Sequence, residues 1–226
     1  MKTLLLWDID GTLINNGGAG ERALVAALSN QFGIDGSLAD IELAGRTDPW
    51  IARRILGKFA VPDTPANVAR FLAGYLEALS AEVATPQARV LPGIRVLLKS
   101  LSRRSDAAQG LLTGNLRRGA EIKLRRHDLW EHFTFGAFAD DSETRNELGP
   151  HAMRRASTRH AGPFSPERTF VIGDTPHDIA CGRAIGAATI GVATGRHSVA
   201  ELQACSPTAA FASLADTAEF LAYLDL

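Results

Sequence analysis

Asp8 and Asp10 stand two residues apart at the end of the apolar run Leu4, Leu5, Leu6, Trp7. The arrangement recurs far along the chain, where "RTFVIGDT" (168–175) ends in Asp174 and "GDTPHD" brings Asp178 soon after. Carboxylates at the ends of buried runs resist losing their water, and they repel one another unless a cation or a shared proton relieves them. Several of them at one edge invite a hard divalent cation. Mg²⁺ is the usual choice when a few carboxylates, waters and a phosphate oxygen complete an octahedron. A third apolar run, "QGLLTG" (109–114), leads into Thr113, Gly114 and Asn115. A hydroxyl and backbone N–H groups at that place suit anionic oxygens.

These residues need a scaffold that brings distant strand ends together. Apolar runs at 4–9, 109–114, 168–175 and 187–195, with a weaker one at 207–213, alternate with helical patterns. The helical patterns cover 91–104, 116–130, 148–160, 177–186, 198–205 and 215–224. Such alternation argues for an α/β fold, a doubly wound parallel sheet. In open sheets of this kind the ligand site lies outside the carboxyl ends of the strands, where all three acidic or polar motifs fall. Residues 15 to 91 break the rhythm. They read as helix at 20–33, 48–59 and 65–83, with no convincing strand. The expected organisation is an α/β core of 1–14 and 92–226 with an inserted helical cap of 15–91. The glycine-rich "NNGGAG" (15–20) and "ATPQARVLPG" (84–93) would be its connectors.

The chain has 226 residues, of which 46% are hydrophobic and 22% charged, enough for one large buried core or a core with an insert. Its net charge of -1 and the lack of long charged runs point to no nucleic-acid or membrane-surface partner. "KLRRH" (123–127) reads as one solvated face of a helix. Cys181 and Cys205 have no metal-type spacing, so a reduced, cytoplasmic chain is expected. The apolar N-terminus is cut short by Asp8 and Asp10, which argues against a signal peptide.

The ordered set "DIDGTL", "TGN" and "GDTPHD" resembles the haloacid dehalogenase superfamily, mainly its Mg²⁺-dependent phosphatases, and the resemblance spans the whole chain. The helical insert resembles the small cap of phosphoglycolate phosphatases and β-phosphoglucomutases. The resemblance implies that Asp8 attacks phosphorus and forms an aspartyl phosphate. It implies that Asp10 is the general acid for the leaving oxygen and then the base that activates water. The Asp8 carboxylate, the Asp10 backbone carbonyl and Asp174 would bind Mg²⁺, with Asp178 supporting them from one step out. Thr113 would donate to the phosphoryl group, with Gly114 and Asn115 beside it. One departure stands out, because the family's usual lysine before the last motif is absent: no lysine follows Lys123. Arg145, which precedes a helix, is the candidate replacement and adds a fork suited to phosphate.

The implied function is hydrolysis of a small phosphorylated metabolite. A phosphomutase acting on a sugar phosphate and a non-catalytic phosphate-binding protein are the alternatives. In the insert, "GRTDPW" (45–50) has two compatible readings. Asp48 caps a helix whose first residue is Pro49, and Arg46 meets the leaving group of the substrate. Thr113 to Asn115 also suit a plain strand-to-helix turn, and Asp178 also suits the positive end of its own helix. His177 is expected to face solvent. Lys58, the main cap lysine that a phosphonate-cleaving enzyme would need, has unremarkable surroundings.

Overall fold

The computed structural model describes residues 2–226. The chain opens with β1 (Thr3–Trp7) and the two-residue β2 (Ile14–Asn15), then runs through three helices, α1 (Ala19–Phe32), α2 (Asp48–Lys58) and α3 (Pro65–Glu82). After β3 (Arg89–Val90) come α4 (Ile94–Leu101), β4 (Ala107–Leu112), α5 (Arg117–Arg125), β5 (Gly136–Ala137) and α6 (Leu148–Arg159). The chain ends with β6 (Thr169–Gly173), α7 (Pro176–Ala184), β7 (Ala188–Val192), α8 (Val199–Ala204), β8 (Ala209–Phe211) and α9 (Thr217–Tyr223).

Six strands form one parallel sheet in the order β5-β4-β1-β6-β7-β8. The chain leaves β1 towards β4 and β5 on one side, then returns to β6, β7 and β8 on the other. The switch point therefore lies at the carboxyl end of β1, directly before Asp8, where an open α/β sheet leaves its crevice. Every residue of β1 is buried, and the strand's alternation explains how. Leu5 and Trp7 join the cluster of Leu97, Leu98 and Phe220 on one face, while Leu4 and Leu6 join Leu148, Ala152 and Cys181 on the other. A strand covered on both faces needs a continuous apolar run, which is what the sequence supplies.

Helices α1, α2 and α3 carry a separate hydrophobic cluster, with Leu24, Leu28, Ile55, Phe71 and Leu79 at its centre. The segment that holds them meets the sheet domain through a small antiparallel pair, in which Ile14 faces Val90 and Asn15 faces Arg89. The expectation of no strand within 15–91 is thus corrected at its edges. Two-residue strands carry too few side chains to show a period, and the pairing comes from two segments brought together by the fold. The edge strand β5 is missed for the same reason. Among the described residues, no helix is long and apolar enough to cross a membrane.

Candidate active site

The site is built from the carboxyl ends of β1, β4 and β6. Asp8 follows β1 and is 5% exposed. Arg145 reaches it from a short 3₁₀ turn, Arg145–Glu147, at the entrance to α6, and its Nη2 donates to Asp8 Oδ1 over 3.1 Å. The same nitrogen donates to Asp178 Oδ1. The other oxygen of Asp178 accepts from Thr175 N and Oγ1, at 3.0 and 2.6 Å, in the capping box of α7. The expected helix-end role of Asp178 and its link to the site are therefore both present. Asp174 packs under Gly195, where a Cβ would fall 1.7 Å from its Oδ2, so only glycine admits this approach.

Oxygens of Asp8, Asp174 and Asp178 lie within 4.8 Å of one another, and all three residues are buried. Burial, then the charge of Asp178, pushes the Asp8 carboxyl up to about 7 against the opposing pull of Arg145. Burial and the charges of Asp178 and Asp8 hold Asp174 well above the usual carboxylate range. One guanidinium facing three carboxylates leaves an excess of negative charge. That excess, on hard oxygen donors at one buried point, fits a divalent cation such as Mg²⁺.

Asp10 has a different shell. Its Oδ1 accepts from Asn16 Nδ2, and its Oδ2 accepts from Asn115 Nδ2 at 2.9 Å and from Lys123 Nζ at 2.6 Å. Lys123 is 4% exposed, which corrects its reading as part of a solvated face. The signal for this was in the helix period. Leu116, Gly119, Ala120, Lys123 and Leu124 follow the i, i+3, i+4, i+7, i+8 spacing of a buried stripe, and Lys123 occupies a core position on it. Burial opposes its charge, but Asp10, Tyr75 and Asp48 outweigh that and raise its pKa.

Thr113 is fully buried. Its Oγ1 accepts from Asn115 Nδ2 at 2.8 Å, which leaves the hydroxyl proton to donate. Gly114 is where the helical segment touches the sheet edge: a Cβ there would lie 2.2 Å from the Arg46 carbonyl, and its own carbonyl accepts from Asp48 N at 2.8 Å. The helix around Asp48 departs from expectation. Thr47 is the N-cap and Asp48 the first helical residue, while the Asp48 carboxylate accepts from Leu116 N across the interface at 2.7 Å. Burial raises Asp48 to about 6, with Lys123 pulling the other way. Thr47 Oγ1 donates to the Glu143 carbonyl at 2.6 Å, and Arg145 Nη1 to the Gly45 carbonyl at 3.0 Å.

These contacts enclose a cavity of about 320 Å³ that brings together Asp8, Asp10, Thr113, Gly114, Asn115, Arg145, Asp174 and Arg46. Asp178 reaches it through Arg145. Arg46 Nε donates to Glu42 at 2.7 Å, and its guanidinium lies 4.3 Å over the Trp50 ring. His177 is half-buried rather than solvent-facing, because its Nε2 meets Glu42 at 3.0 Å. Lys58 is engaged elsewhere, by Ser37 and Asp40. Asn16, Tyr75, Asp48 and Lys123 also line the cavity. Tyr75 and Asn16 carried no sequence signal, since each sits singly in an otherwise ordinary pattern.

The profile of the haloacid dehalogenase-like hydrolases matches residues 5–183. A protein of Dickeya dadantii (strain 3937) described as a probable phosphatase, IndB, is 27% identical over 213 residues, 92% of this chain and 88% of that protein. Among solved structures, CbbY from Rhodobacter sphaeroides in complex with phosphate aligns over 100% of both chains with a TM-score of 0.80 and 20% identity. A hydrolase from Pseudomonas syringae aligns over 98% of this chain and 99% of that one, with a TM-score of 0.76 and 20% identity.

Proposed function

The chain belongs to the haloacid dehalogenase-like hydrolases and is a phosphoric monoester hydrolase, and from that premise we propose that it is a Mg²⁺-dependent phosphatase of small phosphorylated metabolites working through an aspartyl phosphate on Asp8. The observation that carries this reading is the pairing of Asp8 with Arg145 at the switch point of the sheet, with Asp174 and Asp178 oxygens within 4.8 Å.

Asp8 is the nucleophile. Its carboxylate oxygen bonds to phosphorus as the bond from phosphorus to the leaving oxygen breaks. Arg145 holds that carboxylate in place and also carries a buried Nε with no partner, a donor left for a phosphoryl oxygen. Thr113 donates its hydroxyl proton to the same group, with the backbone of Gly114 and Asn115 beside it. Asp10 gives a proton to the leaving oxygen, then takes one from the water that attacks the aspartyl phosphate. Such transfer depends on positioning and charge neutralisation more than on elaborate covalent chemistry. The Asp8 carboxylate, the Asp10 backbone carbonyl and Asp174 would hold Mg²⁺, with Asp178 fixed behind them. The ion supplies neutralisation of the phosphoryl charge.

Residues 15–91 act as a cap on the core of 1–14 and 92–226. The cap excludes water and selects the leaving group, with Arg46 facing it. The cavity's 320 Å³ suits a small ester rather than a polymer. Two free thiols, Cys181 and Cys205, agree with a reducing cytoplasm. Phosphate release from a panel of small esters, with Mg²⁺ and with chelator, tests this directly. Release is expected to need the metal and to vanish in Asp8→Asn with the fold intact. Substantial turnover by Asp8→Asn would overturn the covalent route, and an isomerised sugar phosphate without free phosphate would identify a mutase.

A further inference from the structure

An ammonium buried beside the proton-transfer aspartate is expensive unless it performs a task, because an ion taken out of water costs several kcal/mol that only a complete shell of partners offsets. The shell of Lys123 is complete. Its Nζ donates to Asp10 Oδ2 at 2.6 Å and to Asn115 Oδ1 at 2.5 Å, and Tyr75 lines the same cavity beside it. Tyr75 and Asp48 act on it electrostatically across the same cavity. Two of these partners come from the sheet edge. Tyr75 on α3 and Asp48 on α2 come from the helical segment.

We propose that Lys123 is a positioning residue for Asp10: it holds the Asp10 carboxyl towards the leaving oxygen, and it does so fully only while the helical segment is docked on the sheet edge. This rests on the reading of Asp10 as the proton-transfer group. When the bond from phosphorus to the leaving oxygen breaks and that from phosphorus to Asp8 forms, the Asp10 proton passes to the leaving oxygen. The carboxylate that remains is paired by the Lys123 ammonium and kept facing the same point, ready to take the proton of the attacking water. Asn16 and Asn115 also hold Asp10, but neither carries a charge to match that carboxylate. The arrangement makes proton delivery depend on cap docking, so an ester that keeps the cap from seating loses the step it most needs.

The test compares kcat/KM, which reports the step up to transfer onto Asp8, for two esters in the Mg²⁺-loaded enzyme. Phenyl phosphate needs its leaving oxygen protonated, whereas 2,4-dinitrophenyl phosphate does not. Lys123→Met is expected to lower kcat/KM for phenyl phosphate about 100-fold, the scale of a misplaced catalytic group, and for the dinitrophenyl ester less than about 3-fold. Tyr75→Phe keeps the ammonium and removes one partner, so it gives the same selectivity on a smaller scale and decides the matter if Lys123→Met does not fold. Asp10→Asn is run alongside. If Asp10→Asn spares phenyl phosphate, the reading of Asp10 itself fails. If Asp10→Asn is selective but the folded Lys123 and Tyr75 variants lose both esters equally, or neither, the role of Lys123 alone is overturned.

Discussion

Two buried cations flank the aspartates of this site, and they are anchored by different partners. Arg145 is held mainly by the sheet edge, by Asp8 after β1 and Asp178 on α7, with a single backbone bond to the helical segment at the Gly45 carbonyl. Lys123 is bonded to Asp10 and Asn115 at the sheet edge and faces Tyr75 and Asp48 of the helical segment across the cavity. Their aspartates differ as well. The Asp8 side chain is 6% exposed and that of Asp10 41%. Water can replace part of what Lys123 gives Asp10, but it cannot reach what Arg145 gives Asp8. Arg145 therefore carries a larger share of stability and Lys123 a larger share of selectivity.

The largest effect should come from Arg145→Met. It leaves Asp8, Asp174 and Asp178 facing one another without a counter-charge, and breaking a buried pair in this way costs about 3–5 kcal/mol. For a chain of this length the metal-free melting temperature should fall by about 10 °C. Hydrolysis should drop about 1,000-fold for phenyl and dinitrophenyl phosphates alike, since the damage is to the proposed nucleophile and not to proton delivery. A loss confined to the phenyl ester would erase the contrast with Lys123. Arg145→Lys sharpens it. An ammonium can still serve Asp8 and Asp178 but has no second arm for Gly45, so KM should rise about 10-fold while kcat stays within about 3-fold.

Asp8→Asn probes the same flank through stability. Burial and the neighbouring Asp178 push Asp8 in the folded chain up to about 7, above its ordinary value of 3.8. The folded state thus holds more protons than the unfolded one between those limits, and stability is lost as pH rises through them. The full cost is present above pH 7. Removing the charge should raise the metal-free melting temperature by about 5 °C at pH 8 and by much less at pH 4. With saturating Mg²⁺ the order should reverse, because the wild type gains more from the ion. Calorimetry at the two pH values, with and without metal, checks both signs.

How much of this was legible follows from where each group sits in the chain. Asp8, Thr113 and Asp174 end apolar runs, so hydrophobic pattern and strand-end chemistry found them together. Arg145 was singled out through the resemblance, as a basic residue before a helix where the family usually carries a lysine. Lys123 was hidden by its neighbours: Arg125 and Arg126 are exposed, and a run of basic residues reads as a wet face unless each is placed on the helix wheel. Asp48 was read as a local cap because its contact with Leu116 N spans 68 residues, and no local pattern encodes a bond across an interface. Five strands of the parallel sheet were foreseen from their apolar runs, while β2, β3 and β5 escaped because two residues show no period.

The smallest effect is expected from a more exposed link between the two bodies, His177 on α7 with Glu42 in the helical segment. The Glu42 side chain is 52% exposed, and an ion pair that water can reach contributes about 0–1 kcal/mol. Arg46 keeps its place without it, since its guanidinium also stacks on Trp50. His177→Ala should therefore shift the melting temperature by no more than about 2 °C and KM by less than about 3-fold, with turnover unchanged. The same two-ester comparison applies, and it should show no selectivity, because His177 meets neither Asp10 nor its partners. If turnover instead fell about 10-fold or more, this wet link, and not the dry one at Lys123, would carry the seating of the cap. The division of labour between the two buried cations would then have to be drawn around Glu42 instead.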